Sequence, residues 1–407
     1  MKMFSFFKYS LLLILVSSFI VSCEKETDDL LSEKDGPVVV NYIRLTDPAK
    51  SDSLLTSAFM GSLISIIGDN FGDLKQLYFN DQKAILQPNF ITDKVIIVNV
   101  PTTVPTEVTD KIRMVFSDGS EFLHDFKVNV PAPVLAGIKS EYAPDGGTIE
   151  LSGDFFFDPI VTFPGDIVGE IVNTDKNNII VTVPSGVQPG VISVSTKFGK
   201  VVSKFIFRDD RNTILNFDDK THENWTAPTF GTENKGVVPV SGNFAMFSDS
   251  DFGEWKWNNP TTMWFFAPSR GSAKPIAVGP ITDLAVKFEI NVPEDWIDFN
   301  LLIFMSPYAS DHGYDNASFA RYQPWRNGAF KTSGWQTVTI PLSAFQYGKD
   351  DSWAKEDWDK PGSKPLSSLD GLTNINMMMF GPNVAQNSGT KANIQIAIDN
   401  IRVVPIN

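Results

Sequence analysis

Hydrophobic residues in this chain recur at every second position, a period that suits strands and not helices. Ile112, Met114 and Phe116 alternate with Arg113 and Val115. Val286, Phe288, Ile290 and Val292 alternate with Lys287, Glu289 and Asn291, and Ile394, Ile396 and Ile398 repeat the pattern near the end. A strand turns successive side chains to opposite faces, so this alternation predicts half-buried strands. Val95-Ile96-Ile97-Val98 is a short apolar run that stops before Pro101. Gly, Pro, Asn and Asp bound these stretches, as turns between strands require. No long stretch holds a helical period, so the expected fold class is all-β.

The strands are organised by an internal repeat. Gly61-Ser-Leu-Ile-Ser-Ile-Ile-Gly68-Asp69 is similar to Gly146-Gly-Thr-Ile-Glu-Leu-Ser-Gly153-Asp154. Asp93-Lys94 then leads through apolar residues to Val100-Pro101, and Asp175-Lys176 leads likewise to Val183-Pro184. Each copy closes with a strand and a Gly-containing turn, Ser117-Asp118-Gly119 or Lys197-Phe198-Gly199. The copies are placed at residues 37–130 and 131–208, joined at Pro131-Ala132-Pro133, where two prolines favour an extended link. The shared pattern of Gly, two β steps, Gly-Asp-x-Phe and Val-Pro resembles the TIG/IPT module. That resemblance implies tandem immunoglobulin-like sandwiches, usually spacers. Neither copy shows a cluster of exposed aromatic or titratable residues that suggests a site.

The first residues argue for export. Lys2 and Lys8 precede an apolar run from Leu11 to Val21, too short for a comfortable membrane span. The run ends in Ile20-Val21-Ser22-Cys23, which resembles the lipobox of bacterial lipoproteins. Cys23 is the single cysteine, so it is the expected lipidation site and the chain holds no internal disulfide. Residues 1–22 are then a signal peptide and 23–36 an acidic tether, beginning Glu24-Lys25-Glu26. The tether resembles the signal that sends Bacteroidetes lipoproteins to the outer face of the outer membrane.

Residues 209–407 differ from the rest in one respect: all nine tryptophans lie there. An even spread would have put about half of them earlier. Trp335-Gln-Thr-Val-Thr-Ile-Pro-Leu-Ser-Ala-Phe345 and Ile398-Asp399-Asn400-Ile401-Arg402-Val403-Val404 resemble paired strands of jelly-roll carbohydrate-binding modules. With the lipobox and the TIG-like copies, the chain resembles the B-type surface glycan-binding proteins of Bacteroidetes, which carry a C-terminal xyloglucan-binding domain. The resemblance implies a larger C-terminal β-sandwich that binds a plant β-glycan such as xyloglucan, mixed-linkage β-glucan or mannan. It also implies a place beside a TonB-dependent SusC/SusD-like transporter complex at the cell surface.

Tryptophan suits that ligand because a β-linked sugar presents a flat face of C–H groups, and indole offers a large rigid face with one N–H donor. Trp255 and Trp257 are two apart and share one face of a strand, between polar, turn-like flanks. Pro293-Glu-Asp-Trp296 and Tyr322-Gln-Pro-Trp325-Arg-Asn place Trp296 and Trp325 in polar loops. These four are the expected ligand contacts, with core packing as the competing reading of each. Trp335 reads as structural and Trp264 as part of a buried strand. Trp353 and Trp358 sit in an acidic loop that either clamps a ligand or caps the sandwich.

Other chemistries find no support. A formal charge of −14 and the lack of a basic stripe argue against nucleic acid as a partner. The three histidines, His124, His222 and His312, are widely scattered, and no Gly-x-Ser-x-Gly elbow or His-Glu-x-x-His occurs. The chain is therefore expected not to be an enzyme and to need no cofactor. Asp218 or Asp219 with Asp399 offers oxygen ligands for a structural calcium, although a turn at Asp399-Asn400 is the preferred reading of the last of these. The rival functions are a sandwich-fold glycoside hydrolase, which needs only two well-spaced carboxylates, and a protein-binding adhesin.

Overall fold

The structure is a computed structural model that describes residues 36–50, 52–219, 229–231, 235–253, 262–265, 275–307, 318–347, 364–380 and 391–406. Cys23 and the acidic tether lie outside them. The described chain is built of strands, with 3-10 turns of three or four residues and no α-helix. Contacts divide it into two compact units, the first ending at Pro131 and the second running from Ala132.

The first unit is an immunoglobulin-like sandwich. One sheet orders the strands Val39–Leu45, Leu63–Asp69 and Val95–Asn99, and the other orders Gln82–Lys83, Leu74–Phe79, Lys111–Phe116 and Glu121–Asp125. Ile112, Met114 and Phe116 point into the core with Ile64, Ile66, Ile96 and Val98, as the alternation predicts. Ser57–Phe59 and Lys127–Asn129 pair in parallel.

The second unit holds two sandwiches. The first repeats the immunoglobulin-like plan, with Val134–Ile138, Thr148–Asp154, Asn178–Thr182 and Ile171–Thr174 in one sheet. Ile167–Val168, Ile160–Phe163, Ser193–Thr196 and Gly199–Val202 form its other sheet. The sequence repeat is a repeat of backbone contacts. Gly61 N–H donates to Val100 O and Gly146 N–H to Val183 O, both at 2.9 Å. Gly68 and Gly153 each face a bulged neighbour strand. A Cβ on Gly68 would lie 1.9 Å from Val39 O, and one on Gly153 1.9 Å from Val134 O. Only glycine permits that approach.

The C-terminal sandwich is larger. Its first sheet orders Thr229–Gly231, Phe244–Gly253, Lys391–Pro405, Leu284–Asn291 and Gln336–Pro341, with Thr213–Leu215 also paired to Lys391–Pro405. Its second sheet orders Thr262–Phe265, Leu372–Phe380, Asn300–Pro307, Ser318–Tyr322, Gln346–Tyr347 and Lys364–Pro365. Between them lies one core that includes Val286, Phe288, Ile290, Ile394, Ile396 and Ile398. Here one expectation fails. Leu284–Asn291 was expected to be half-buried, but all eight residues are buried, Lys287 and Glu289 among them. The polar face of that strand is covered by the preceding sandwich.

Candidate functional site

The structure moves two of the four expected contacts into the core. Trp296 is 1% exposed and Trp325 is 8% exposed. Trp296 pairs with Phe330 through both backbone bonds at 2.9 Å, and its ring packs near Tyr322 and Phe330. Its Nε1–H donates to Asp298 O at 2.7 Å and Phe299 O at 3.1 Å. Trp325 Nε1–H donates to the same Phe299 O at 2.8 Å. Phe299 has φ of 68°, a left-handed conformation that is uncommon for an aromatic residue, and the two indoles tie down its carbonyl. Polar flanks suggested exposed loops, but these loops turn their tryptophans inward and close one end of the sandwich. Neither ring is available as a platform.

Trp255 and Trp257 lie outside the described residues, as do Trp225, Trp353 and Trp358. Trp335 is half-buried, edge-on to Phe244, and donates its Nε1–H to Val238 O at 2.7 Å. Trp264 occupies a strand position opposite Asn376.

The outward side of the second sheet has an unusual composition. In Asn300–Pro307 the residues Leu301, Ile303 and Met305 enter the core, so Asn300, Leu302, Phe304 and Ser306 face away from it. In Leu372–Phe380 the core takes Ile375, Met377 and Met379, leaving Asn374, Asn376 and Met378 outward. Strand register then sets Trp264, Asn376, Phe304, Phe319 and Gln346 at successive positions of one cross-strand row. Met378, Leu302 and Arg321 follow in the next. The Arg321 guanidinium sits 4.9 Å from the Phe319 ring centre. Asn300 accepts from Gln323, whose Oε1 accepts from Arg326 Nε–H at 2.7 Å. Asn374 donates to Pro307 O at 3.0 Å.

Asn300, Asn374, Asn376 and Ser306 are all buried although they face away from the core. Arg321, Gln323 and Gln346 are partly open at one side of the face. Amides, a guanidinium and aromatic rings on one face suit a ligand with both hydroxyls and flat apolar patches. Sequence reasoning did not anticipate this composition, because it looked for tryptophans in loops rather than asparagines on strands.

Chain connectivity links the face to four tryptophans. Residues 254–261, with Trp255 and Trp257, lead directly into Thr262–Phe265, the strand at one edge of this sheet. Residues 348–363, with Trp353 and Trp358, join Gln346–Tyr347 to Lys364–Pro365 at the opposite edge.

Among the described residues, no group of three or more His, Cys, Asp or Glu could hold a metal ion. Asp399 accepts from Ser241 Oγ at 2.9 Å and from Asn400 N–H at 2.7 Å, while Asp218 accepts from Asn243 N–H at 2.7 Å. Burial raises the Asp399 carboxyl to about 9, and the nearby carboxylates Glu289 and Asp218 add to the rise. His124 lies on the first unit, where burial lowers its pKa. Open clefts mark the second unit. One of about 550 Å³ is lined by Val278, Pro280, Leu366 and Leu369, and one of about 340 Å³ sets Trp335 near Tyr142 and Lys139.

Comparison with known proteins bears on the same segment. Residues 207–405 match the family described as surface glycan-binding protein B xyloglucan binding domain. A curated protein of Bacteroides ovatus, an IPT/TIG domain-containing protein, is 30% identical over 217 residues. That alignment takes in 48% of this chain and 43% of the relative, so the match spans less than half of the relative's length. The crystal structure of a surface glycan-binding protein from Prevotella bryantii aligns with a TM-score of 0.67 and 26% identity, over 91% of this chain and 99% of that one. A protein from a complex xyloglucan utilization locus in Bacteroides uniformis shares the fold at a TM-score of 0.50 and 17% identity, over 91% of this chain and all of that one. The likeness to B-type surface glycan-binding proteins therefore holds in both sequence and fold.

Proposed function

We propose that this chain is a cell-surface lipoprotein that captures a plant β-glycan, with xyloglucan the first candidate, on its C-terminal sandwich. The observation that carries the reading is that the one segment holding all nine tryptophans is also the segment that matches a xyloglucan-binding family. Binding is assigned to the outward face of the second sheet, with Trp255, Trp257, Trp353 and Trp358 supplied from its two edges. Arg321 and Gln346, half-exposed at one side of that face, would pair with sugar hydroxyls, and the tryptophan rings would stack on the sugar faces. Cys23 would carry the lipid, and the captured glycan would pass to a transporter in the same membrane. The role is retention without cleavage.

Affinity electrophoresis and calorimetry of the full chain against xyloglucan, mixed-linkage β-glucan and mannan test this. Binding to at least one is expected, with no new reducing ends on prolonged incubation. Added salt should change the affinity little, because a neutral glycan releases no counter-ions. Trp255→Ala or Trp257→Ala should weaken binding several-fold and leave the melting temperature unchanged. Failure to bind any of the three glycans would overturn the reading.

A further inference from the structure

The covered face of Leu284–Asn291 is a closed ionic cluster, and it is completed from outside the C-terminal sandwich. Arg402 donates through Nη1 to Glu289 Oε2 at 2.8 Å and through Nη2 to Glu141 Oε2 at 2.7 Å. Lys287 Nζ donates to Glu141 Oε1 at 2.7 Å. Arg402, Glu289, Lys287 and Glu141 are all buried, Arg402 and Glu289 completely so. Three of these residues belong to the C-terminal sandwich. Glu141 lies more than 140 positions earlier, just beyond Val134–Ile138 of the immunoglobulin-like sandwich. Without it, two buried cations would share a single carboxylate.

Neighbouring bonds tie the same two parts together. Glu141 N–H donates to Thr337 Oγ1 at 2.7 Å, and that hydroxyl donates to Glu289 Oε1 at 2.8 Å. Thr337 N–H donates to Lys139 O at 2.9 Å, while Lys139 Nζ donates to Ser333 O at 2.9 Å and Ser333 Oγ at 2.8 Å. The Tyr142 hydroxyl donates to Asp209 O at 2.7 Å, and the Arg402 guanidinium lies 5.1 Å from the Tyr142 ring centre. A buried charge that loses its partner is strongly destabilising. The cluster therefore penalises any state in which the two sandwiches part.

We propose that the second immunoglobulin-like sandwich is a constitutive half of the C-terminal module and not a spacer, so that the two open and close as one body, with Glu141 as the counter-ion that completes the C-terminal sandwich. This goes beyond the glycan-binding reading and does not depend on which glycan is bound.

Hydrogen-exchange mass spectrometry on the full chain, in mild denaturant, tests it with two variants. Glu141→Gln keeps the side chain's shape and removes its charge. It should raise the opening equilibrium of peptides spanning Leu284–Asn291 and Lys391–Pro405 by about a hundredfold, although the change lies in the other sandwich. Ile149→Val trims the core of the immunoglobulin-like sandwich only mildly. It should accelerate exchange in both sandwiches by the same factor. If Ile149→Val affects residues 132–208 alone, or Glu141→Gln leaves the C-terminal peptides unchanged, the two sandwiches are independent and the proposal fails. Retained glycan binding with either result separates this failure from failure of the functional reading.

Discussion

Phe299 and Asp399 show how single groups in the C-terminal sandwich answer to burial. The Phe299 carbonyl takes both buried indole N–H groups, so Trp296 and Trp325 are fixed by the need to satisfy donors away from water. Asp399 keeps its proton in the folded protein up to a pH of about 9, against 3.8 for an ordinary aspartate. Between those values the folded state holds a proton that the unfolded chain has released. Stability is therefore highest at the acid end of that window and falls as pH rises through it. Asp399→Asn cannot ionise and can still accept from Asn400 N–H and donate to Ser241 Oγ, which has two lone pairs. The variant should match the parent near pH 4 and be the more stable near pH 8, as read from denaturant midpoints at the two values. None of this was legible in the sequence, where Asp399-Asn400 reads as a turn and Trp296 and Trp325 as loop residues. Local polarity marks where the chain meets water, but it does not report which way a large ring turns from a loop.

At the scale of strands, the sequence was informative about cores and silent about covers. Period-two alternation correctly placed Ile112, Met114 and Phe116 in one core and Val286, Phe288 and Ile290 in another. It also assigned Lys287 and Glu289 to an open face, because alternation says only that two faces differ. Their partner Glu141 is too distant in sequence for any local pattern to reveal. The repeat was more legible, because its glycines answer to backbone geometry that both copies share. In each copy the absent Cβ would strike a neighbouring carbonyl and also a ring, 2.5 Å from Phe71 Cζ or Phe156 Cζ. Gly68→Ala and Gly153→Ala should each cost about 3 kcal/mol in denaturant unfolding of the unit concerned. Gly253, where an added Cβ meets nothing within 4 Å, serves as the control, and Gly253→Ala should be near neutral.

Over the whole chain, the sequence carried the class of fold, the repeat and the tryptophan-rich segment that matches a glycan-binding family. It did not carry the face proposed for binding, which exists only once six strands from widely separated parts of the chain lie side by side. The join between the second and third sandwiches was hidden for the same reason. The proposed supply of tryptophans from the segments next in sequence to the edge strands Thr262–Phe265 and Lys364–Pro365 has a consequence for the size of the ligand. Six strands leave five gaps, and at about 4.8 Å each the edges lie roughly 24 Å apart. A single sugar can engage one edge only, whereas an oligosaccharide that reaches across engages both at once, and the second contact is then made at a high effective concentration. Calorimetry with a ladder of oligosaccharides should show affinity climbing steeply with chain length and levelling off once the ligand spans the sheet. A flat ladder would mean that one edge does all the binding. On this reading the protein measures its ligand, and short fragments already cut loose by degradation would slip away while intact polymer is held.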